Sequence, residues 1–228
     1  GRFAGLLIET MLSCAGQVPL PEGYLAAVCR AVREQGGLLI ADEVQVGFGR
    51  VGSHMWAFEE SGVIPDIVVM GKPMGNGHPM AAVFTTPEIA ASFEQMEWFS
   101  TFGGNPVSCA IGMAVMDCIE HDGLMARAEQ LGGRFMQRLV ELQDKHPIIG
   151  DVRGRGLFLG FELVSDLSTL EPATEEAGQL VNEMRRRGVL LSTDGPHHNV
   201  IKIKPPMVLK EEDIDTTLEH LEEVLTGL

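Results

Sequence analysis

Four short apolar runs, at residues 3–8, 38–41, 67–70 and 80–85, restrict the fold more than any other feature of this sequence. None shows the polar alternation of a strand with one wet face, so each reads as a strand covered on both sides. Between the first two, Tyr24, Leu25, Val28, Cys29 and Val32 recur at helical spacing after Pro19 and Pro21, and Gly36 with Gly37 closes that helix. Strands alternating with helices predict an α/β layer built on a mixed, mostly parallel sheet. The chain opens inside a run that reads as strand, so a further portion is expected upstream.

From Pro106 the pattern turns helical. Val107, Ala110, Ile111, Ala114, Val115 and Cys118 fall on one predicted face, a break follows at residues 121–123, and a second helix runs to about Lys145. The remainder predicts a strand over 156–163, a helix over 174–187, strands over 189–192 and 200–204, and a closing amphipathic helix over 211–225. This α+β tail predicts a second, smaller domain, with residues 1–122 in the first and 123–228 in the second. The charge runs at 185–187 and 211–213 read as solvated helix ends.

Of the 228 residues 45% are hydrophobic and 21% charged, which is enough apolar matter for a real core. The formal charge of -15 opposes any nucleic-acid partner, because that binding depends on Lys and Arg neutralising phosphates. Cys14, Cys29, Cys109 and Cys118 form no CxxC pair and have no His at zinc spacing, so they predict neither a disulfide framework nor a metal site, and read as small core hydrophobes. No apolar run reaches the roughly 18 to 20 residues of a membrane span. A soluble protein of a reducing compartment is expected, cytoplasmic, with a mitochondrial location as the alternative.

Three stretches carry more chemistry than a fold requires. IADEVQVGFGR, over 40–50, sets Asp42 and Glu43 at the C-terminal end of an apolar strand, the edge of an open α/β sheet where ligands bind. VMGKPMGNGHP, over 69–79, places Lys72 after a buried strand, where an amine removed from water becomes a useful nucleophile. FSTFGGNP, over 99–106, offers hydroxyls and backbone N–H groups just before a helix, a setting suited to an anion. Each has a plainer reading when taken alone: an aspartate capping a turn, a lysine reaching solvent, a helix-capping loop. Together they supply an acidic partner for a pyridinium nitrogen, a Schiff-base lysine and a phosphate anchor, the three needs of pyridoxal phosphate.

The order DEVQxGxGR, then GK with the lysine thirty positions after Asp42, then TFGGNP, then VRGxGL resembles the class III aminotransferases along essentially the whole chain. The resemblance implies the C-terminal part of the large domain of a fold type I pyridoxal-phosphate enzyme, followed by a small α+β domain. It also implies that Asp42 pairs with the pyridine nitrogen and Gln45 lies near the ring's phenolic oxygen. Lys72 is the implied Schiff-base residue, and Thr101 reaches the cofactor phosphate of the neighbouring subunit in a homodimer with shared active sites. Arg153 matches the arginine that grips a substrate carboxylate through a planar fork. Family members carry a Gly-Ser phosphate cup and a stacking aromatic ring upstream. No such loop precedes Asp42, so these residues alone are expected to hold the cofactor weakly or not at all.

Within the family the resemblance is closest to phospho-lyases acting on phosphoethanolamine or phosphohydroxylysine, through ETMLSCAGQ at 9–17, TDGPH at 193–197 and IKIKPP at 201–206. Cys14 stands where many transaminases carry a glutamate that pairs with the carboxylate-binding arginine. Arg153 is therefore expected to stay open to an anion. Arg155, His197, His198, Lys202 and Lys204 are further candidates, by charge, for a leaving phosphate. The favoured expectation is a lyase releasing phosphate and ammonia from a small phosphorylated amine. The alternatives are an amine or ω-amino-acid transaminase and a piece without turnover of its own.

Overall fold

In the computed structural model, which describes residues 3–228, the chain runs β1 (Gly5–Glu9), β2 (Met11–Leu12), β3 (Val18–Pro19), α1 (Tyr24–Glu34), β4 (Leu38–Asp42), β5 (Ile67–Met70), β6 (Ala82–Thr85), α2 (Pro87–Phe93) and α3 (Pro106–His121). It continues with α4 (Leu124–Lys145), β7 (Ile149–Arg155), β8 (Phe158–Asp166), β9 (Glu171–Pro172), α5 (Thr174–Arg186), β10 (Ser192–Asp194), β11 (Val200–Ile203) and α6 (Glu211–Thr226). Two units divide these elements. The first takes residues up to Thr10, Leu20–Gly49 and His54–Gly123, and the second takes Met11–Pro19, Arg50–Ser53 and Leu124–Leu228. The short pieces 11–19 and 50–53, assigned from the sequence to the first domain, thus pack with the second unit.

The first unit is built on a sheet of order β1-β4-β5-β6, in which β1, β4 and β5 are parallel and β6 is antiparallel to β5. Helix α1 buries Leu25, Cys29 and Val32, and Leu25 and Cys29 pack with Leu39 of β4 and Val63. It starts after Gly23 and stops before Gly36, both at positive φ, where glycine adopts the left-handed region without strain. The expectation of cover on both faces fails at the edge: Val83 and Phe84 of β6 are 63% and 56% exposed.

The second unit layers α4, α5 and α6 on a sheet of order β10-β11-β8-β7. Leu131, Phe135 and Leu139 of α4, Phe161 and Leu163 of β8, and Leu218 and Leu221 of α6 are buried in one cluster. A Cβ on Gly132 would lie 2.1 Å from the Gly156 carbonyl oxygen, so α4 rides directly on the β7–β8 turn, and only glycine fits there. The sequence missed β7, whose Gly150, Arg153, Gly154 and Arg155 hide it from a hydrophobic pattern; it also missed α2. Residues 189–191 are not strand, and β10 begins at Ser192.

Helix α3 departs from its expected face. Its buried residues are Gly112 and Ile119, whereas Val107 is 66% exposed and Ala114 and Cys118 are also exposed. The helix is apolar on all sides, and a pattern with no polar side selects no face. The cysteines differ similarly: Cys29 is core, while Cys14, Cys109 and Cys118 are exposed, and none of the four is in a disulfide.

Candidate active site

Parallel pairing of β4 with β5 places Asp42 opposite Val69, three residues before Lys72. Both functional candidates therefore come off the C-terminal ends of adjacent parallel strands, the edge where open α/β sheets collect ligands. The two carboxylates of the Asp42–Glu43 pair have separate tasks. Glu43 is fully buried, and Thr10 Oγ1 donates to its Oε1 at 2.6 Å. Phe58 N donates to the same oxygen at 2.9 Å and Ala57 N to Oε2 at 2.9 Å. Burial raises its pKa, opposed by those hydrogen bonds, and the charge of Asp42 adds to the rise. Glu43 is thus a fully occupied structural tie. Asp42 is half-buried, with Val44 N donating to Oδ1 at 2.9 Å, and Oδ2 accepts no hydrogen bond among the described residues. Asp42 does cap the following turn, as the plainer reading had it, yet it keeps one oxygen for a partner.

Lys72 follows Gly71 into a one-turn 3-10 helix over Lys72–Gly75, at φ 32. Left-handed backbone is strained for a lysine, and the proline after it disfavours the right-handed helical alternative. The sequence reading expected a desolvated amine; the structure exposes Lys72, because the turn carries it beyond the last residue of β5. Gln45 is half-buried in the turns after β4. Thr101 is exposed in the segment before α3. That segment is also a helix cap, since Asn105 Oδ1 accepts from Ser108 N at 2.9 Å.

In the second unit Arg153 is not open as expected. Its Nη1 donates to Asp151 Oδ2 at 2.6 Å and Glu162 Oε2 at 2.7 Å, and its Nε donates to the Gly16 carbonyl at 2.9 Å. Burial pulls its pKa down, but the two carboxylates outweigh burial and hold the guanidinium above its usual range. Arg50 is a half-buried strut whose Nη1 donates to the Leu157 and Pro205 carbonyls at 3.1 and 2.9 Å. Lys202 pairs with Asp194 at 3.1 Å. Lys204 lies 4.5 Å over the Phe158 ring; burial first, then Lys202, lower its pKa to about 8, while Asp194 and Cys14 oppose this and Arg50 adds to it. His197 and His198 are exposed.

Sequence reasoning missed Gln17 and Asp194 as partners. Gln17 is fully buried, and its Nε2 donates to Ser13 O at 2.8 Å and to Asp194 Oδ2 at 2.7 Å, so the carboxylate that holds Lys202 is itself held. The separation of 177 positions leaves no local trace of the pair. Among the described residues no cluster of three or more His, Cys, Asp or Glu could hold a metal, and no helix is long and apolar enough to cross a membrane.

The family model described as aminotransferase class-III matches residues 1–225. The chain belongs to this family. Its members are pyridoxal-phosphate-dependent enzymes of fold type I, and the residues here fit that group. Asp42 offers an unengaged carboxylate oxygen, Lys72 an exposed amine on the adjacent strand end, and Thr101 a hydroxyl before a helix N-terminus. A class-III relative from Drosophila melanogaster, an alanine–glyoxylate aminotransferase 2-like protein, is 52% identical over 228 residues, covering 99% of this chain and 46% of its own length. The ethanolamine-phosphate phospho-lyase homolog 1 of Caenorhabditis elegans is 45% identical over 227 residues, covering 98% of this chain and 49% of its own length. A solved phospholyase from Arthrobacter in complex with phosphoethanolamine superposes with a TM-score of 0.94 at 45% identity, covering 97% of this chain and 53% of that one. The chain spans about half the length of these relatives.

Proposed function

We propose that this class-III chain belongs to a phospho-lyase that eliminates phosphate from a small phosphorylated amine such as phosphoethanolamine, after which water releases ammonia and leaves an aldehyde. The observation that carries the chemistry is the register setting Asp42 and the residues leading to Lys72 on adjacent strand ends. When bound, pyridoxal phosphate supplies an electron sink for the carbon that loses its proton. Asp42 Oδ2 holds the proton on the ring nitrogen, and the Lys72 amine takes the proton from the substrate carbon as general base. Gln45 is assigned to the ring's phenolic oxygen and Thr101 to the cofactor phosphate of a second subunit. Arg153 is assigned to the substrate anion through Nη2 alone, since Nη1 is held by two carboxylates; that makes the contact monodentate.

The lyase reading is supported by the likeness to a phospholyase solved with phosphoethanolamine and to the C. elegans homolog. A transaminase reading is favoured by the Drosophila relative's name at 52% identity. A homodimer is supported by large apolar side chains exposed in the first unit, among them Trp98, Phe99, Phe102 and Met113. The deciding experiment is phosphate release from phosphoethanolamine and phosphohydroxylysine by protein supplied with pyridoxal phosphate, with and without a keto acid. Release without keto acid is the expected result. Amino transfer that depends on the keto acid, with no phosphate release, makes it a transaminase, and neither activity makes the chain a piece without turnover.

A further inference from the structure

The turn that carries Lys72 and the segment that carries Thr101 are joined by hydrogen bonds that neither motif announces. His78 Nε2 lies 2.7 Å from Ser108 Oγ in the first turn of α3. Asn105 Nδ2 donates to the same Oγ at 2.9 Å and to the Phe102 carbonyl at 2.8 Å, leaving the hydroxyl's own proton for His78. An unbroken chain of side-chain contacts thus runs from the backbone beside Thr101 to a histidine six residues after Lys72. Apolar packing reinforces it: a Cβ on Gly112 of α3 would lie 2.9 Å from Met80 Cε, so the end of the Lys72 loop rests on the helix surface where a glycine leaves room.

The loop needs such an anchor. Lys72 at φ 32 is a strained backbone, and strain persists only where surrounding contacts outweigh the cost of holding it. Inside the loop, Met74 N donates to Gly71 O, Asn76 N to Pro73 O and His78 N to Gly75 O, at 2.9, 3.0 and 2.9 Å. These bonds fix the loop's own shape. They do not fix it to anything else, and the His78 side chain does.

We propose that His78 is a positioning residue which, by clasping Ser108, seats the Lys72 turn and the Thr101 segment as one piece. The inference rests on reading Lys72 as the reacting amine and deepens that reading: reactivity at Lys72 and order at the N-terminus of α3 are set by a shared contact. Fast amide hydrogen exchange on the 228-residue chain tests the clasp without cofactor, comparing wild type with His78→Ala, His78→Gln and Ser108→Ala. His78→Ala should speed exchange roughly tenfold, the weight of one partly buried hydrogen bond, at Asn76 in the loop and equally at Ser108 and Cys109 across the contact. Amides of β8 and α4 should not change. His78→Gln, which presents a polar atom at about the same reach, should restore most of the protection, and in protein that includes the expected upstream portion reductive trapping of Lys72 with pyridoxal phosphate should slow several-fold in His78→Ala but not in His78→Gln. Unchanged exchange at Ser108 and Cys109 in His78→Ala, or a His78→Gln variant as loose as His78→Ala, overturns the clasp. Failure to trap Lys72 in wild-type protein that includes the expected upstream portion overturns the functional reading instead, and the exchange data still decide the clasp.

Discussion

Arg153 on β7 donates from Nη1 to Glu162 on β8 at 2.7 Å, and the same nitrogen reaches Asp151 at 2.6 Å. A guanidinium with two carboxylates on one nitrogen and the Gly16 carbonyl on another is first a structural tie between the 11–19 segment and the β7–β8 ladder. Arg153→Met should lower stability by about 2 kcal/mol, because it leaves two acids facing each other and a carbonyl without its donor. Arg153→Lys should fall between, keeping the charge but losing the fork. Urea midpoints at constant slope measure both. A midpoint unmoved in Arg153→Met would assign the residue to substrate alone.

Glu43 predicts a pH signature. Its folded pKa is raised above 4.5, so the folded state binds more protons than the unfolded state just above that pH. The contribution of Glu43 to stability is therefore present below about pH 4.5 and lost as pH rises through the folded value. Glu43→Ala leaves Thr10, Ala57 N and Phe58 N without their acceptor and should cost about 3 kcal/mol. Glu43→Gln should remove the pH dependence while still costing stability, since an amide offers one acceptor oxygen to three donors. Denaturation midpoints across pH 4 to 7, compared with wild type, carry the test.

Much of the architecture was legible because its signals are local. The apolar runs of β4 and β5, and the glycines flanking α1, state their own structure within a few residues. The placement of Asp42 at the end of β4 and of Lys72 just past the end of β5 was legible for the same reason. What escaped depends on distant partners. Glu43 differs from Asp42 through Thr10, Ala57 and Phe58, and Arg153 is held by Glu162 as well as by its near neighbour Asp151, so adjacent residues with different surroundings looked alike in sequence. The exposure of Lys72 was illegible because a single left-handed residue carries it clear of the sheet.

Lys204 should be the unusual lysine of the second unit. Its pKa of about 8 lies below the ordinary 10.5, so between those values the unfolded state binds more protons than the folded one. Stability from this group rises as pH climbs from about 8 toward 10.5, the reverse of a lysine that gains a carboxylate partner. Lys204→Met should flatten that rise. Amine labelling at pH 8 followed by peptide mass analysis should find Lys204 modified ahead of Lys202, which Asp194 holds at 3.1 Å. Equal labelling would place the depressed amine elsewhere.

The last prediction separates Asp42 from Lys72. On the proposed reading Lys72 makes the bond to the cofactor, so Lys72→Ala should eliminate the borohydride-trappable adduct altogether. On the same reading Asp42 would make no bond to carbon; its carboxylate would keep a ring nitrogen protonated and so stabilise the charge that develops on the substrate. Asp42→Ala should still give an adduct at Lys72, while lowering turnover by about three orders of magnitude or more, the scale on which preorganised charge contributes to catalysis. Asp42→Asn keeps the shape and the Val44 hydrogen bond but carries no charge, so it should lose nearly as much rate as Asp42→Ala. An Asp42→Asn variant with wild-type turnover would show that this oxygen positions a turn and does not tune a ring.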